Sequence, residues 1–238
     1  MLAHYLVDKI PMKDSLLNIQ LLLTGNEIMS GDTVDSNSAL IAQRFGEAGL
    51  GIYRKVTVGD DVTLLRTELA DMATKADLII VNGGLGPTID DLTAEILAAV
   101  AGVPLQEHPQ AVAHLEQWCA KRNLQLDAAN LKQSMLPQGA TIVDNPIGSA
   151  VGFEMTLGNC RIICTPGVPS ELAAMLGPMV ADLATQVQQA PGRDILRLQT
   201  FVPGKTTAQQ ITVDSPRPHV CRRRMSRPGA CCPLSLIP

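Results

Sequence analysis

Short apolar runs alternate with helix-patterned segments over residues 18–100, and this alternation restricts the fold more than any other feature. Residues 18–24, 52–58 and 77–81 are short runs rich in aliphatic residues that end in glycine or polar residues, which is typical of buried strands. The segments after them repeat apolar residues every three or four positions, as amphipathic helices do. Strands joined through helices by short loops favour a parallel sheet with helices on both faces. We therefore predict a three-layer, Rossmann-like α/β fold with a mostly parallel sheet.

Three further elements are predicted around this alternation. The first helix is expected to begin at Asn37 with Ser36 as its N-terminal cap, because a serine before an apolar-periodic segment is a common helix start. A β-hairpin is predicted over residues 151–165, followed by a long amphipathic helix. Residues 195–201 are predicted to form one more strand.

Charge and composition argue against several classes of function. The net charge is −4 and aromatic residues make up 3% of the chain, so it offers neither the basic surface nor the stacking faces that nucleic-acid binding requires. No apolar run approaches the ~20 residues of a membrane helix. Cys119, Cys160 and Cys164 lie in apolar contexts without zinc-ligand spacing, which indicates buried thiols. We predict a reduced, cytoplasmic protein that binds neither nucleic acid nor membrane.

Glycine and polar residues follow each of the three predicted strands. Ligands of parallel sheets bind beyond the carboxyl ends of the strands, so we expect these residues to converge at one edge. The candidate ligand-binding residues are Thr24, Gly25, Glu27, Asp35 and Asn37 after the first strand, Asp60 after the second, and Gly83, Gly84, Gly86, Thr88, Asp90 and Asp91 after the third.

The loop that holds Gly83, Gly84 and Gly86 is open to two interpretations. Glycines let a backbone approach a ligand closely, and the exposed amides of such a loop before a helix can bind a phosphate. Carboxylates beside a phosphate can hold Mg²⁺. Alternatively, the segment is a tight turn in which Thr88 caps the following helix and Asp91 completes a capping box. The loop has the spacing of neither a P-loop nor a dinucleotide fingerprint.

Two later segments are candidates for the same ligand. Gly148 and Ser149 lie in a loop before the predicted hairpin, and Gly167 and Ser170 lie where a predicted strand leads into the long helix. The amides at that helix start could bind an anion, although Pro169-Ser170-Glu171 is also an ordinary helix start.

Six motifs in a fixed order give the chain a specific resemblance. The stretches TGNE, SGDTVDSN, VGDD, NGGLGPTIDDLT, NPIGSAVGF and TPGVPSEL resemble the N-terminal domain of the CinA (competence/damage-inducible) proteins. That domain is similar to the Mog and MoeA proteins within a wider molybdopterin-binding group, and the likeness runs from about residue 18 to residue 201. The resemblance implies a molybdopterin-binding-like fold.

The resemblance also implies a function and roles for particular residues. It implies a pyrophosphatase that splits ADP-ribose with a divalent metal (Mg²⁺, Co²⁺ or Mn²⁺), with a monovalent cation as an additional cofactor. The group's GGTG-x-x-x-x-D stretch falls on Gly83 to Asp91, with Leu85 in place of threonine. Asp91, Asp60 and Asp90 are then the expected catalytic residues, and Asp60 and Asp91 are the expected metal ligands. Lys132 remains from an Asn-Arg-Lys-Gln stretch of the family that here reads Asn-Leu-Lys-Gln.

Two alternatives to catalysis remain open. The chain could be a binding module that holds a pterin or nucleotide without turnover, or a decayed protein that keeps only the fold. Whether the chain is an enzyme or a binding module, the expected ligand is a small nucleotide or pterin. A homo-oligomer (dimer or trimer) is also expected.

The predicted domain organisation has four parts. Residues 1–17 are an N-terminal extension, 18–190 form the molybdopterin-binding-like domain, and 191–214 begin an incomplete second subdomain. Residues 215–238 are an irregular tail with five Arg and no acidic residue. Full-length family members carry a separate C-terminal amidase domain that acts on nicotinamide mononucleotide. This chain is expected to lack that domain and its activity.

Overall fold

The computed structural model describes residues 17–189, with side chains described as far as residue 186. The predicted strand at 195–201 and the predicted segments 191–214 and 215–238 lie outside the described residues, as does all but the last residue of the predicted N-terminal extension. The strands are β1 (Ile19–Thr24), β2 (Ile52–Val58), β3 (Leu78–Asn82), β4 (Leu105–Glu107), β5 (Met135–Pro137), β6 (Thr141–Val143), β7 (Gly152–Leu157) and β8 (Cys160–Thr165). The helices are α1 (Asn26–Ser30), α2 (Asn37–Glu47), α3 (Val62–Ala73), α4 (Thr93–Ala101), α5 (Pro109–Lys121), α6 (Ala128–Lys132) and α7 (Pro169–Gln189).

Six strands form the main sheet in the order β2-β1-β3-β8-β7-β6. The first four are mutually parallel, whereas β7 pairs antiparallel with both β8 and β6. The mostly parallel α/β fold is therefore confirmed, and β7 and β8 are the predicted hairpin. The pair β4 and β5 forms a separate two-stranded sheet, which the sequence pattern did not predict.

The core is aliphatic and lies on both faces of the sheet. All residues of β1 and β3 are buried, as expected for strands that are covered by helices on both sides. Helix α3 buries the side chains of Leu65, Leu69 and Met72. Apolar burial of this kind stabilises the fold by roughly 25 cal/mol per Å².

The three cysteines predicted to be buried thiols are buried and free. Burial raises the pKa of the Cys160 thiol to about 11, with a smaller contribution from the negative charge of Asp77. Burial also raises the pKa of Cys164. Both thiols are therefore protonated at neutral pH and pack as small apolar side chains. No helix within residues 17–189 is long and apolar enough to cross a bilayer.

The predicted Ser36 cap of α2 is wrong. Ser36 has helical dihedral angles, and its side chain makes no capping hydrogen bond. Instead Asp35 accepts a hydrogen bond from the Ser38 amide at 2.9 Å. A carboxylate is the stronger acceptor for a helix-end amide because its charge also interacts favourably with the helix dipole.

Candidate functional site

A cleft of about 630 Å³ opens at the carboxyl ends of the parallel strands. Its walls come from the segments after β1, β2 and β3, as the strand pattern predicted, and from the loops before β7 and after β8. The predicted site residues that line it are Thr24, Gly25, Glu27, Asp35, Asn37, Asp60, Gly83, Gly84, Gly86, Thr88, Asp90, Asp91, Ser149 and Gly167.

The glycine loop is packed closely against the end of β1. Gly83 and Gly84 have φ values of +110° and +66°, a region that favours glycine. A Cβ on Gly83 would lie 2.7 Å from the carbonyl oxygen of Thr24, and one on Gly84 would lie 2.5 Å from Thr93 Oγ1. Thr93 Oγ1 donates a hydrogen bond to the Gly83 carbonyl at 2.8 Å and so ties the loop to α4. The backbone conformation here requires glycine, whether or not a ligand is bound.

Thr88 and Asp91 close a tight turn, as one interpretation predicted, but the predicted capping of the following helix by this pair is wrong. Its Oδ2 accepts hydrogen bonds from the Thr88 amide at 2.9 Å and from Thr88 Oγ1 at 2.5 Å, but α4 does not begin until Thr93. Asp91 Oδ1 has no hydrogen-bond partner among the described residues. A Cβ on Gly86 would lie 2.5 Å from Asp91 Oδ2, so Gly86 makes room for this carboxylate.

One wall of the cleft, which we call the acidic wall, carries the carboxylates of Glu27, Asp60, Asp90 and Asp91. Burial raises the pKa of Asp60, and repulsion from Glu27, Asp90 and Asp91 raises it further. A hydrogen bond from the Asn26 amide to Asp60 Oδ2, at 3.1 Å, acts in the opposite direction but does not cancel these effects. The negative charges of Glu27, Asp90 and Asp91 therefore all act on the Asp60 carboxylate.

Asp35 lines the cleft, but its oxygens are already engaged. They accept hydrogen bonds from the Ser38 amide, from Ser38 Oγ and from Lys55 Nζ at 3.1 Å. Burial acts to raise the pKa of Asp35, but these hydrogen bonds and the Lys55 charge outweigh it and lower the pKa. Asp35 therefore anchors α2 beside the cleft.

Three predicted binding residues do not line the cleft. Lys132 Nζ donates hydrogen bonds to the carbonyl oxygens of Thr88 and Asp91, so it stabilises the turn that follows the glycine loop. Gly148 is packed against the Glu171 carboxylate, which leaves no space for a Cβ. Ser170 is exposed in the first turn of α7.

Several cleft residues were not predicted as site residues. Gln133 Nε2 donates to the Leu85 carbonyl at 3.3 Å and to Ser149 Oγ at 3.2 Å, joining the glycine loop to the loop before β7. Asn82, at the end of β3, accepts a hydrogen bond from Asn37 Nδ2 at 2.9 Å. The Lys-Gln pair at the end of α6 is the sequence signal that points to Gln133.

Comparison with known proteins agrees with this architecture. The family model described as "Probable molybdopterin binding domain" matches residues 20–185. A crystal structure of the protein CinA from Thermoplasma acidophilum has 32% sequence identity and a TM-score of 0.65, covering 71% of this chain and 98% of that one. The chain belongs to the CinA family. The predicted resemblance is therefore confirmed.

Curated CinA relatives are longer than this chain. A CinA-like protein from Colwellia psychrerythraea is 50% identical over 194 residues, which are 81% of this chain and 45% of that protein. A protein of Shewanella oneidensis named nicotinamide-nucleotide amidohydrolase PncC is 42% identical over 160 residues, which are 67% of this chain and 38% of that protein. The chain thus spans less than half the length of these two relatives.

Proposed function

We propose that this CinA-family chain hydrolyses the diphosphate bond of a nucleotide of the ADP-ribose type with the help of a divalent metal. The supporting observation is the position of the acidic wall directly beside the glycine loop in one cleft. The acidic wall contributes the carboxylates of Asp60, Asp90 and Asp91. The glycine loop contributes a backbone that a phosphate can approach closely.

The chain's donors fit a metal that is shared with the substrate. No group of three or more His, Cys, Asp or Glu side chains within the described residues could hold a metal ion by itself. Mg²⁺, however, commonly binds through one or two carboxylates and completes its shell with phosphate oxygens and water. Asp60 and Asp91 each use Oδ2 in a hydrogen bond to the protein, and each retains Oδ1 for such a cation. The bound ion would stabilise negative charge on the phosphoryl oxygens.

Other groups of the chain would bind the phosphates and orient the attacking water. The amides of the glycine loop and of the first turn of α7 would hold the two phosphates. With the second lone pair of Oδ1, Asp91 would also accept a hydrogen bond from the attacking water and so orient it. Asp60 would hold the cation through Oδ1, and the negative charge of Asp90 acts on the same carboxylate.

A direct assay tests the proposal. The purified chain is expected to convert ADP-ribose to AMP and ribose 5-phosphate when Mg²⁺, Co²⁺ or Mn²⁺ is added, and to lose this activity in EDTA. Parallel reactions with K⁺ and without any added monovalent cation test the expected additional cofactor. Absence of turnover with all three metals would contradict the proposed activity.

Binding of a pterin or nucleotide without turnover is the second candidate. The observation in its favour is that the described carboxylates do not form a complete metal site of their own. A rise in melting temperature with AMP or a pterin, in a protein that hydrolyses nothing, would support this alternative.

Deamidation of nicotinamide mononucleotide is not expected from this chain. The relative that is named for this activity matches over 38% of its length, and the resemblance assigns the activity to a separate domain. We therefore expect no ammonia release above background, and a signal above it would show that an amidase site had been missed.

A further inference from the structure

Three buried side-chain oxygens in the cleft have no hydrogen-bond partner among the described residues. They are Thr24 Oγ1, Asn37 Oδ1 and Gln133 Oε1. Their residues are only 7%, 8% and 7% exposed, and all three line the cleft. We call this set the polar floor. Buried polar atoms are nearly always paired, so three unpaired ones in a single cleft indicate a missing partner.

The two amide side chains are held in one orientation by their nitrogen atoms. Asn37 Nδ2 donates to Asn82 Oδ1 at 2.9 Å and to the Gly167 carbonyl at 2.7 Å. Asn82 is itself oriented, because its Nδ2 donates to Thr165 Oγ1 and to the Pro166 carbonyl. If the oxygen and nitrogen of the Asn37 amide were exchanged, its oxygen would face two other acceptors, Asn82 Oδ1 and the Gly167 carbonyl. Asn37 Oδ1 is therefore the atom without a partner among the described residues.

Gln133 is oriented in the same way. Its Nε2 donates to the Leu85 carbonyl, which can only accept, so Oε1 is again the unpaired atom. Thr24 Oγ1 lies beneath the glycine loop, 2.8 Å from the position that a Gly83 Cβ would take. Two of the three floor atoms can therefore only accept hydrogen bonds, and the third can accept or donate.

We infer that the polar floor binds the uncharged, hydrogen-bond-donating part of the ligand and so selects a nucleotide over inorganic diphosphate. This inference rests on the proposed function for the choice of a nucleotide. Ionised phosphate oxygens carry no hydrogen, so they cannot satisfy amide oxygens beside the acidic wall. Ribose hydroxyls and the N–H groups of a heterocycle carry the hydrogens that the floor requires.

Thr24→Val is the informative variant because the hydroxyl makes no hydrogen bond within the described protein. Valine has nearly the same shape, so the melting temperature is expected to stay the same or rise. Thr165→Val is the matched stability control. The Thr165 hydroxyl donates to the Val81 carbonyl and accepts from Asn82, so its loss is expected to lower the melting temperature.

Calorimetric titration with Mg²⁺ and three probes tests the inference: AMP, ribose 5-phosphate and inorganic pyrophosphate. Thr24→Val is expected to raise the Kd for AMP about tenfold, as for one lost hydrogen bond, and to change the Kd for pyrophosphate less than about twofold. An equal loss for ribose 5-phosphate would identify a ribose hydroxyl as the donor, and a loss for AMP alone would identify the exocyclic amino group of adenine.

Gln133→Met should weaken AMP binding more than pyrophosphate binding, although it also removes the Nε2 hydrogen bonds to the Leu85 carbonyl and to Ser149 Oγ. Gln20→Met provides its control. Gln20 also has a buried, unpaired Oε1, but it lies outside the cleft, so its loss should leave all three affinities unchanged. Equal weakening of AMP and pyrophosphate, no weakening of either, or no binding of any probe to the wild type would overturn the inference. ADP-ribose hydrolysis with unchanged KM in Thr24→Val would overturn it and leave the proposed function standing. Selective loss of AMP binding in a protein that does not hydrolyse ADP-ribose would support the inference and contradict the proposed function.

Discussion

Asp91→Asn is expected to lower metal-dependent ADP-ribose turnover by about 100-fold or more while the protein remains folded. The substitution removes the negative charge of a carboxylate that lines the cleft and whose Oδ1 has no hydrogen-bond partner among the described residues. An amide oxygen at this position can still accept the hydrogen bond from Thr88, so the cost in stability is expected to be at most about 1–2 kcal/mol. Rates across a metal titration and thermal melts measure the two effects separately.

Asp61→Asn is the matched control for this variant. Asp61 accepts a hydrogen bond from the Leu64 amide at 2.8 Å and caps α3, but it does not line the cleft. Its loss should cost a similar amount of stability and leave turnover unchanged. Equal turnover by the wild type and Asp91→Asn would return Asp91 to a purely structural role in the turn.

Gly86→Ala examines the position of the Asp91 carboxylate without removing its charge. The added Cβ would lie 2.5 Å from Asp91 Oδ2, so the carboxylate has to move. Gly86 does not need a positive φ, which means that the displaced carboxylate is the main consequence. Turnover should therefore fall in this variant too, and an unchanged rate would show that the orientation of Asp91 is not critical.

The fold could be predicted from the sequence because its main strands carry strong local signals. β1 and β3 are continuous apolar runs that end in glycine-bearing loops, and the parallel sheet follows from the helices between them. β4, β5 and β6 could not be predicted, since each has three residues and is defined mainly by its pairing with a distant segment.

The location of the candidate site could be predicted from the sequence, but the roles of several of its side chains could not. The meeting of Thr24, Asp60 and the glycine loop follows from topology alone, because the ends of parallel strands share one edge. The roles of particular side chains depend on contacts that the sequence does not show. Lys132 reaches carbonyl oxygens more than forty residues away, and Gln133 is buried against the same loop. Local spacing likewise could not predict that Asp35 rather than Ser36 would cap α2.

Asp60→Asn and Asp35→Asn are expected to change stability in opposite directions at neutral pH. Folding raises the pKa of Asp60, so the folded state binds that proton more tightly and ionisation of Asp60 opposes folding. Folding lowers the pKa of Asp35, so its charge contributes stability above the unfolded pKa, and this is lost as the pH falls through the folded pKa. Asp60→Asn should therefore raise the melting temperature, and Asp35→Asn should lower it.

The gain in stability of Asp60→Asn should come with a loss of turnover of about 100-fold, because the carboxylate that opposes folding is the one proposed to hold the metal. Both stability differences should shrink as the pH falls into the acidic range, where the two carboxyls become protonated. The Asp60→Asn, Asp91→Asn double variant should be little slower than either single variant, since the residues act on one metal and water. Additive losses in the double variant would indicate two independent roles. A lower melting temperature for Asp60→Asn at neutral pH would show that the acidic wall stabilises the fold rather than straining it.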